Sequence, residues 1–492
     1  MARILFSPAY FYRLDPKQWK TALPYPPLAT IYAAAVMREA GHEVFLHDTH
    51  LSPGPGEIIP AVEAHKPQYL VIYDDGFNYL TKMCLTVMRE AAFSLAKIGK
   101  QYGCTVIISS SDSTDHWEKY LGEGADFVIL GEGEITLREL IEKYEKPGFS
   151  PSEIPGIAWK TGESCQNSGR RNVLRDLDSL PQPAWDLIDP APYRAIQEKA
   201  HGYFSLNIAT TRGCPFKCNW CAKPIYGNRY HSRSPQRVAD EIQMLIETYG
   251  VSHFWMSDDI FGLKPGWVQT FRDEVIRRKL KFRYKIQSRV DLLLQEDTID
   301  ALAASGLETV WVGAESGSQK ILDAMDKGTR VEQIFEARKL LAKKGIRVGF
   351  FLQFGYLGEE KEDIQKTIEM VLELMPEEIG ISVSYPLPGT VFYEKVRSHL
   401  GEKANWKDSD DLAMMFHSTF SPGYYKRLHR YVHKIYRKKQ GQESLRRLFL
   451  SPQKVNSQEI HAALATFYYV PAALLDKMKL SQLEKDQVVL QN

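Results

Sequence analysis

Net charge and long hydrophobic runs are both missing from this chain of 492 residues. Lysine and arginine number 62 and aspartate and glutamate 61, so a formal charge of +1 indicates no overall attraction to nucleic acid. There is no uninterrupted apolar stretch of about 18 residues, which a membrane-spanning helix requires. The first residues lack the basic, then apolar, then small-residue pattern of a secretory signal. We therefore expect a cytoplasmic protein with no membrane span and no nucleic-acid partner.

Cysteine is scarce, because the chain has only six. Three are scattered over the first 170 residues, which argues against a disulfide framework and favours a reducing compartment. The other three lie within eight positions of the stretch TRGCPFKCNWCAKP, where Cys214, Cys218 and Cys221 have the spacing Cys-x3-Cys-x2-Cys. There is no fourth cysteine nearby. The sequence also contains no low-complexity tract and no repeat of fixed period.

The length exceeds the roughly 250 to 300 residues that one hydrophobic core supports, so several domains are expected. Residues 1–145 alternate short apolar runs with helical patterns, which predicts a doubly wound, Rossmann-like α/β domain. Residues 146–202 are rich in Pro, Gly and Ser and predict a linker with one hairpin. Residues 203–400 contain six further β/α units, which predict a partial barrel. Residues 401–492 predict a helical C-terminal region that is a candidate substrate lid.

Ligands of parallel sheets bind beyond the carboxyl ends of the strands, so the loops there are the informative places. In the first series the candidate loops are SPAYFYRLDP, YDDGFNY, SSSDSTD and LGEGE. In the second series the cysteine cluster directly follows the first strand, SLNIATT. The next helix has clear start signals, with Ser234 as N-cap and Pro235 at its first position. The cluster is therefore predicted to lie at the mouth of the barrel.

Thiolates are soft ligands that select zinc, copper(I) or iron–sulfur clusters. A structural zinc site needs a fourth ligand, and the nearest candidate is His231. Alternatively, three cysteines hold three irons of a four-iron cluster and leave the fourth iron open to a ligand that is not protein. Three unligated cysteines in an exposed loop would be prone to oxidation.

The cysteine stretch, with Trp220 just before the third cysteine, resembles the signature of the radical S-adenosylmethionine superfamily. The resemblance implies a [4Fe-4S] cluster on Cys214, Cys218 and Cys221. It also implies that the open iron binds the amino and carboxylate groups of S-adenosylmethionine, which is cleaved reductively to a 5′-deoxyadenosyl radical. The three cysteines are therefore both the predicted metal ligands and the predicted catalytic residues.

Three later strand ends, MSDDIF, QSRVD and VGAESGS, resemble segments that bind S-adenosylmethionine in this superfamily, and YPLPGT resembles its last-strand motif. Each also has a structural alternative, since the aspartates can cap a helix, the arginine can pair with a carboxylate and the glycines can form a turn. A carboxylate between glycines at a strand end suits recognition of a hydroxyl or ammonium group. The candidate S-adenosylmethionine-binding residues are Trp220, Asp258, Ser288, Arg289, Gly313, Glu315 and Ser316.

The stretches YPPLATIYAAAVMREAGHEVFLHD and GADFVILGEGEITLREL resemble the cobalamin-binding domain that precedes many radical S-adenosylmethionine enzymes, so the resemblance covers almost all of residues 1–400. Asp48 and His50 depart from the cobalt-ligating motif Asp-x-His-x-x-Gly, because Gly54 is too far along and the pair follows the second strand. We expect His50 to be a surface histidine. SSSDSTDH also departs from the Gly-Gly turn of relatives. The candidate cobalamin-binding residues are Ser109, Ser110, Ser111, Gly131, Glu132 and Gly133.

The resemblance implies a cobalamin-dependent radical enzyme that functionalises an unactivated carbon, most often by methyl transfer. The alternative is oxidative ring closure, as in the anaerobic magnesium-protoporphyrin monomethyl ester cyclase. An alternative of another class is a regulator that binds cobalamin or zinc without catalysis. An electron donor such as flavodoxin or ferredoxin is implied, with a small-molecule or lipid-like substrate. The apolar segment 462–475 is expected to pack in a core, although a lid or a peripheral membrane contact also fits it.

Overall fold

Two parallel sheets organise the chain. The computed structural model describes residues 1–401, 403, 405–450, 453 and 457–491. Each sheet has helices on its faces, and a pair of long helices follows the second sheet. This is the α/β architecture that the alternating sequence pattern predicts, and the fold-class prediction is confirmed.

The first sheet has five parallel strands followed by two antiparallel ones, in the order β2-β1-β3-β4-β5-β6-β7. The order reverses at β1, which creates the switch point where such sheets bind ligands. The strands are β1 Arg3–Ser7, β2 Glu43–Leu46, β3 Tyr69–Tyr73, β4 Thr105–Ser109, β5 Phe127–Ile129, β6 Ile157–Thr161 and β7 Ser164–Asn167. The helices are α1 Pro16–Thr21, α2 Leu28–Glu39, α3 Ile59–His65, α4 Thr86–Gln101, α5 Ser111–Asp115, α6 Trp117–Gly122 and α7 Glu134–Tyr144.

The hairpin predicted inside the linker forms as β6 and β7, and it extends the first sheet rather than standing apart. Ile157 and Ala158 of β6 are fully buried against β5, which explains why this short segment joins the sheet. The linker then continues through helix α8, Ala191–His201.

The second sheet has six parallel strands in the order β8-β11-β12-β13-β14-β15. Its end strands β8 and β15 do not pair, so the sheet is an open, partial barrel, as predicted. The strands of this half are β8 Ser205–Ile208, β9 Thr211–Arg212, β10 His231–Ser232, β11 His253–Met256, β12 Arg283–Ser288, β13 Leu307–Glu315, β14 Arg347–Phe354 and β15 Glu378–Val383. The helices are α9 Pro235–Tyr249, α10 Trp267–Arg277, α11 Val290–Leu293, α12 Thr298–Ala304, α13 Gln319–Ala324, α14 Val331–Lys343, α15 Lys361–Leu374 and α16 Val391–Val396. Ser234 caps α9 as its sequence signals indicate.

A strap of residues 405–418 ties the barrel to the first domain. Trp406 accepts a backbone hydrogen bond from Thr86 at 2.9 Å, and the Ser409 hydroxyl donates to Asp15 at 2.7 Å. At the other end the Ser418 hydroxyl donates to the carbonyl of Gly355, just past β14. The strap therefore crosses from the carboxyl end of the barrel to the carboxyl edge of the first sheet.

Helices α17 (Pro422–Leu450) and α18 (Ser457–Gln491) pack as a pair against the outside of the barrel. The hydroxyl of Tyr436 donates to the carbonyls of Pro376 and Glu377, which anchors α17 beside β15. Among the described residues no helix is long and apolar enough to cross a membrane. The expected core packing of segment 462–475 is correct for only one face, because Leu464, Phe467 and Leu474 are exposed.

A buried carboxyl next to the strap predicts a specific pH dependence of stability. Burial raises the pKa of Glu359 to about 8, and the charge of Asp363 adds to the rise. The folded state therefore binds this proton more tightly than the unfolded state does. The resulting stabilisation is complete below about pH 4.5 and is lost as the pH rises through 8, by at most about 1.4 kcal/mol per pH unit.

The variant Glu359→Gln has a side chain of the same shape that does not titrate. Its free energy of unfolding is therefore expected to vary less with pH between pH 5 and 8. Melting temperatures measured across that range for wild type and variant test it. Glu362→Gln, an exposed neighbour on α15, is the control and should leave the profile unchanged. Parallel profiles for wild type and Glu359→Gln would contradict the prediction.

Candidate functional site

The cysteine loop is closed at its base by a short antiparallel pair, in which Arg212 lies opposite His231. Gly213 follows β9 with a φ of +76°, and a Cβ there would lie 2.3 Å from the carbonyl oxygen of Arg229. Only glycine fits so close an approach. Lys223 binds the carbonyl of Phe216 and the side chain of Asn228 from within the loop. The close approach at Gly213 and the two bonds of Lys223 therefore hold the loop in shape from within.

The three cysteines of the loop are free thiols with partly exposed side chains. Burial raises the pKa of Cys221 to about 12 and also raises that of Cys214, while Lys223 opposes both shifts. The charges of Asp259 and of the other thiols add to the rise. Thiols held this way are neutral until a metal binds, and a coordinated metal deprotonates them. The donor set therefore fits a metal centre of soft thiolate ligands.

His231, the candidate fourth ligand of a zinc site, lies in β10 at the base of the loop. Burial, with the cations Arg175 and Arg229, lowers its pKa. Within the described part of the chain, no three His, Cys, Asp or Glu side chains converge as a single metal ion would require. A four-iron cluster makes no such demand, because each thiolate binds a different iron.

Asn219, between the second and third cysteines, anchors the loop to the barrel. Its side chain donates to Ala324 and Asp326 at 2.8 Å and accepts from the hydroxyl of Tyr356 at 2.6 Å. Its backbone carbonyl also accepts from Phe392. This role was not predictable from the sequence, because an asparagine in a loop is ordinary.

Asp258 follows β11, and its carboxylate is hydrogen-bonded to the residues just after β8. It accepts hydrogen bonds from the backbone amides of Thr210 and Thr211 at 2.7 and 2.8 Å, and from the hydroxyl of Thr210. Burial raises its pKa to about 6. Its neighbour Asp259 pairs with Lys82 of the first domain. Asp258 thus shapes the start of the cysteine loop, and its contact with S-adenosylmethionine stays a prediction.

Arg289 lies directly beside the cysteines. Its guanidinium stacks 3.7 Å from the ring of Phe216 and pairs with Asp291, and one of its nitrogens lies 3.9 Å from the sulfur of Cys218. Ser288, just before it, is buried and donates to the carbonyl of Phe261. The arginine therefore brings a positive charge to the position where a negatively charged cluster or a carboxylate is expected.

Glu315 ends β13 at a register shift in the ladder with β14, and its φ is +56°. A non-glycine residue in this region costs about 1–3 kcal/mol, and such strain is concentrated at functional sites. Its carboxylate pairs with Lys327 at 2.8 Å, with both side chains buried. A Cβ on Gly313 would lie 2.4 Å from the amine of Lys327, so the pair requires that glycine. Ser316 hydrogen-bonds Thr367 behind it.

Burial would lower the pKa of Lys327, but Glu315 and Cys218 outweigh it, and the pKa is raised. Lys327 therefore stays charged between the strand end and the cysteines. Sequence reasoning missed this residue, since only the fold brings it to Glu315. Trp220, by contrast, leaves its buried indole nitrogen without a hydrogen-bond partner among the described residues. An unpaired buried donor next to the cysteines fits a site that receives a polar ligand.

The serines predicted to bind cobalamin lie at the carboxyl end of β4. Ser110 caps α5 through reciprocal hydrogen bonds with Ser113, while the buried hydroxyl of Ser111 makes no hydrogen bond among the described residues. The same is true of one carboxylate oxygen of Asp75, which follows β3. Ser109 packs beside Gly133, where a Cβ would lie 2.7 Å from the hydroxyl of Tyr73. This edge of the sheet therefore keeps unpaired polar atoms that suit a ligand rich in amides.

Gly131 and Glu132 face the cysteine loop. A Cβ on Gly131 would lie 3.4 Å from the carbonyl of Ile225, at the end of that loop. Glu132 pairs with Arg212, which also pairs with Glu134 at 2.7 Å. These residues join the two domains in the structure, and their contact with cobalamin stays a prediction.

Arg212 immediately precedes the cysteine loop, and its guanidinium is enclosed on all sides. The rings of Tyr32, Phe77 and Tyr226 lie 5.7, 5.5 and 5.2 Å from it. Burial opposes its charge, but the two glutamates outweigh this and hold its pKa above the usual value. The two carboxylates of GEGE, two residues apart, do indicate that a cation binds there, but nothing in the sequence identifies Arg212 as that cation.

The expectation that His50 is a surface histidine is wrong. The residue is fully buried, with its Nδ1 2.6 Å from the carbonyl of Tyr25 and its ring against Tyr10 and Tyr12. A carbonyl can only accept, so Nδ1 donates and the ring holds the segment after β2 against the segment before α2.

Comparison with known proteins agrees with this geometry. The Radical SAM superfamily matches residues 208–371, which cover the barrel from β8 into α15. An uncharacterized methyltransferase of Pyrococcus horikoshii is 28% identical over 389 residues, which cover 78% of this chain and 81% of that protein. The anaerobic magnesium-protoporphyrin IX monomethyl ester cyclase of Cereibacter sphaeroides is 29% identical over 56% of this chain, and the match spans only 45% of that enzyme.

Among solved structures, the cobalamin-dependent S-adenosylmethionine radical enzyme OxsB, with aqua-cobalamin and S-adenosylmethionine bound, superimposes with a TM-score of 0.70. The superposition covers 95% of this chain and 72% of that one at 15% identity, and so it concerns the fold. The chain therefore contains a Radical SAM domain, and its overall fold is that of the cobalamin-dependent S-adenosylmethionine radical enzyme OxsB.

Proposed function

We propose that this enzyme binds a [4Fe-4S] cluster, S-adenosylmethionine and cobalamin, and transfers a methyl group to an unactivated carbon of a small-molecule or lipid-like substrate. The observation that carries the proposal is the apposition of the cysteine loop and the carboxyl edge of the first sheet. Arg212 with Glu132 and Glu134 joins them, and Phe77 stacks on Tyr226 at 5.6 Å. Two cofactors bound at these two edges would face each other.

Cys214, Cys218 and Cys221 would hold the cluster, which supplies the electron that cleaves S-adenosylmethionine. Arg289 lies within 3.9 Å of Cys218 and would favour the reduced state by its positive charge. Glu315, fixed by Lys327, presents a carboxylate at the strand end, where it would accept from an ammonium or ribose hydroxyl. Trp220, Ser288, Gly313 and Ser316 complete this proposed site, with Asp258 supporting its floor.

Cobalamin would occupy the carboxyl edge of the first sheet, where Ser111 and Asp75 retain unpaired polar atoms. Ser109, Ser110, Gly131, Glu132 and Gly133 lie at the same edge and shape it. Bound there, cobalamin would supply a methyl group to a carbon radical. His50 is not proposed as a cobalt ligand, since its ring packs against Tyr10 and Tyr12.

The inner face of the barrel favours a substrate with a ring or apolar body and an acidic group. Lys285 of β12 lies 4.9 and 5.2 Å from the ring centres of Tyr25 and Trp255. Its strand neighbour Gln287 is in register with Trp311, whose ring centre lies 4.7 Å from that of Phe351. One cation beside two aromatic rings, with a second aromatic pair on neighbouring strands, suits an anionic molecule with a large apolar surface.

The match to the methyltransferase of Pyrococcus horikoshii covers most of both chains, which favours methyl transfer. The cyclase matches less than half of its own length, and ring closure is therefore the second candidate. A low-potential electron donor of the flavodoxin or ferredoxin type and a cytoplasmic location complete the proposal.

Product analysis distinguishes these functions. After anaerobic reconstitution, iron, sulfide and cobalt are assayed, and the products of reductive turnover with S-adenosylmethionine are measured. Methyl transfer predicts S-adenosylhomocysteine together with 5′-deoxyadenosine. 5′-Deoxyadenosine alone would exclude methylation and favour ring closure. Zinc without sulfide, and no cleavage of S-adenosylmethionine, would instead indicate the regulator without catalysis.

A further inference from the structure

An apolar stripe runs along the solvent side of helix α18. Its members lie on one face of the helix, by its repeat of 3.6 residues per turn, over about five turns and about 27 Å. Their exposed fractions run from 43% to 74%, and six of the seven are more than half exposed. The stripe, called the outer face of α18 below, consists of Ile460, Leu464, Phe467, Tyr468, Leu474, Leu475 and Met478.

The opposite face of α18 is fixed against α17, so the helix cannot turn its stripe inward. A Cβ on Gly441 of α17 would lie 2.0 Å from the hydroxyl of Thr466, which shows how closely the two helices approach. Asp476 is buried between them and pairs with Arg427 and Lys434 at 2.8 Å. Rotating α18 would leave that carboxylate buried without its cations, at a large cost.

The outer face brings together seven large apolar side chains, six of them more than half exposed, and contiguous apolar patches of this kind are rare on monomeric proteins. Phe449 and Leu450, at the adjoining end of α17, are also largely exposed. Patches of this kind mark interaction sites. Since no described helix is long and apolar enough to cross a membrane, the face is suited to lying on a surface rather than to spanning one.

The exposed charges of α18 between Ile460 and Gln482 have a single sign. Between Ile460 and Gln482 the only acidic residue is Asp476, which faces inward. Lys477 and Lys479 are exposed, and the helical repeat puts them on opposite flanks of the stripe. An apolar face with aromatic rings and flanking lysines has the composition of helices that lie in the headgroup region, where lysines reach anionic lipids.

A second copy of the chain fits less well. It would bring the same lysines to the contact, without an acidic residue from its own outer face to pair with them. Pro471 would also interrupt a regular seam between two helices. We infer that the outer face of α18 binds the surface of a bilayer that contains anionic phospholipid, with Lys477 and Lys479 at the headgroups.

Vesicle sedimentation with the full-length protein tests this inference. Vesicles of phosphatidylcholine alone are compared with vesicles of equal parts phosphatidylcholine and phosphatidylglycerol. The protein is expected to bind the anionic vesicles, and added salt should weaken this binding. The affinity of the variant Phe467→Glu/Leu474→Glu for the anionic vesicles is expected to be at least about tenfold lower. Lys477→Ser/Lys479→Ser should lose the preference for phosphatidylglycerol.

Ile276→Glu is the matched control, because Ile276 is an equally exposed apolar residue on the distant helix α10. It should bind vesicles like the wild type, and all variants should melt at the wild-type temperature. No binding of the wild type to either vesicle would overturn the inference. So would a concentration-dependent dimer, seen by light scattering, that Phe467→Glu/Leu474→Glu abolishes. Neither measurement uses enzyme activity, so lipid binding and the proposed reaction can fail separately.

Discussion

Replacing Cys218 with alanine is expected to abolish reductive cleavage of S-adenosylmethionine while leaving the fold intact. In the proposed centre each of the three cysteines binds one iron, so losing one leaves a second iron without a protein ligand. Iron and sulfide after anaerobic reconstitution should fall from about four of each per chain to well under one. 5′-Deoxyadenosine formation should fall to background. The loop keeps its shape, since the antiparallel pair of β9 and β10, Gly213 and Asn219 hold it without the thiols.

Cys165→Ala provides the matched control, because Cys165 is a partly exposed free thiol on β7 of the first sheet and lies outside the cysteine loop. It should keep full iron, sulfide and activity. Unchanged melting temperatures for both variants would show that the loss in Cys218→Ala is chemical rather than structural. Wild-type levels of sulfide and 5′-deoxyadenosine in Cys218→Ala would disprove the proposed cluster.

Replacing Arg212 with methionine is expected to destabilise the whole protein by about 3–5 kcal/mol, the usual cost of breaking a buried ion pair. Its side chain is 5% exposed, and it is the charged partner of Glu132 and Glu134, which are 8% and 2% exposed. Without the guanidinium two buried carboxylates repel each other at the contact between the domains. The melting temperature should fall by several degrees, and limited proteolysis should become faster between the first sheet and the barrel.

A compensated variant separates charge from packing. Arg212→Met/Glu132→Gln/Glu134→Gln removes all three charges and keeps similar volumes, so it should recover much of the lost stability. Arg347→Met breaks the exposed pair with Glu378 and is the control, with an expected change below about 1 kcal/mol. Failure of the triple variant to recover stability would mean that the arginine acts through its aromatic contacts rather than through the two carboxylates.

Local pattern was sufficient for much of the fold. The apolar runs of both series became strands, and Ser234 caps α9 as its position before Pro235 indicates. Such elements are predictable because their signals lie within a few residues of each other. The cysteine spacing likewise places its three thiols in one loop whatever surrounds them. The partial barrel then follows from six β/α units in succession.

Long-range partners were not predictable in this way. The glycine-rich setting of Glu132 did not indicate that it pairs with an arginine 80 residues away. The sequence around Asp258 likewise did not indicate that its carboxylate accepts from Thr210 and Thr211, and the ligand contacts of both residues stay predictions. The apolar composition of segment 462–475 did not indicate which face of the helix would pack against the rest of the protein and which would be exposed. In each case the partner belongs to another element, and local sequence patterns do not indicate which distant residues meet in the folded chain.

Local sequence patterns are enough to place three thiols in one loop after a strand and an α/β domain ahead of that loop. How these parts meet depends on the folded chain, because only folding brings the carboxyl edges of the two sheets together. Arg212 shows the physical reason, since a buried cation is stable only where the fold delivers two carboxylates and three aromatic rings to it. The same is true of Glu315, whose strained backbone is held by Lys327.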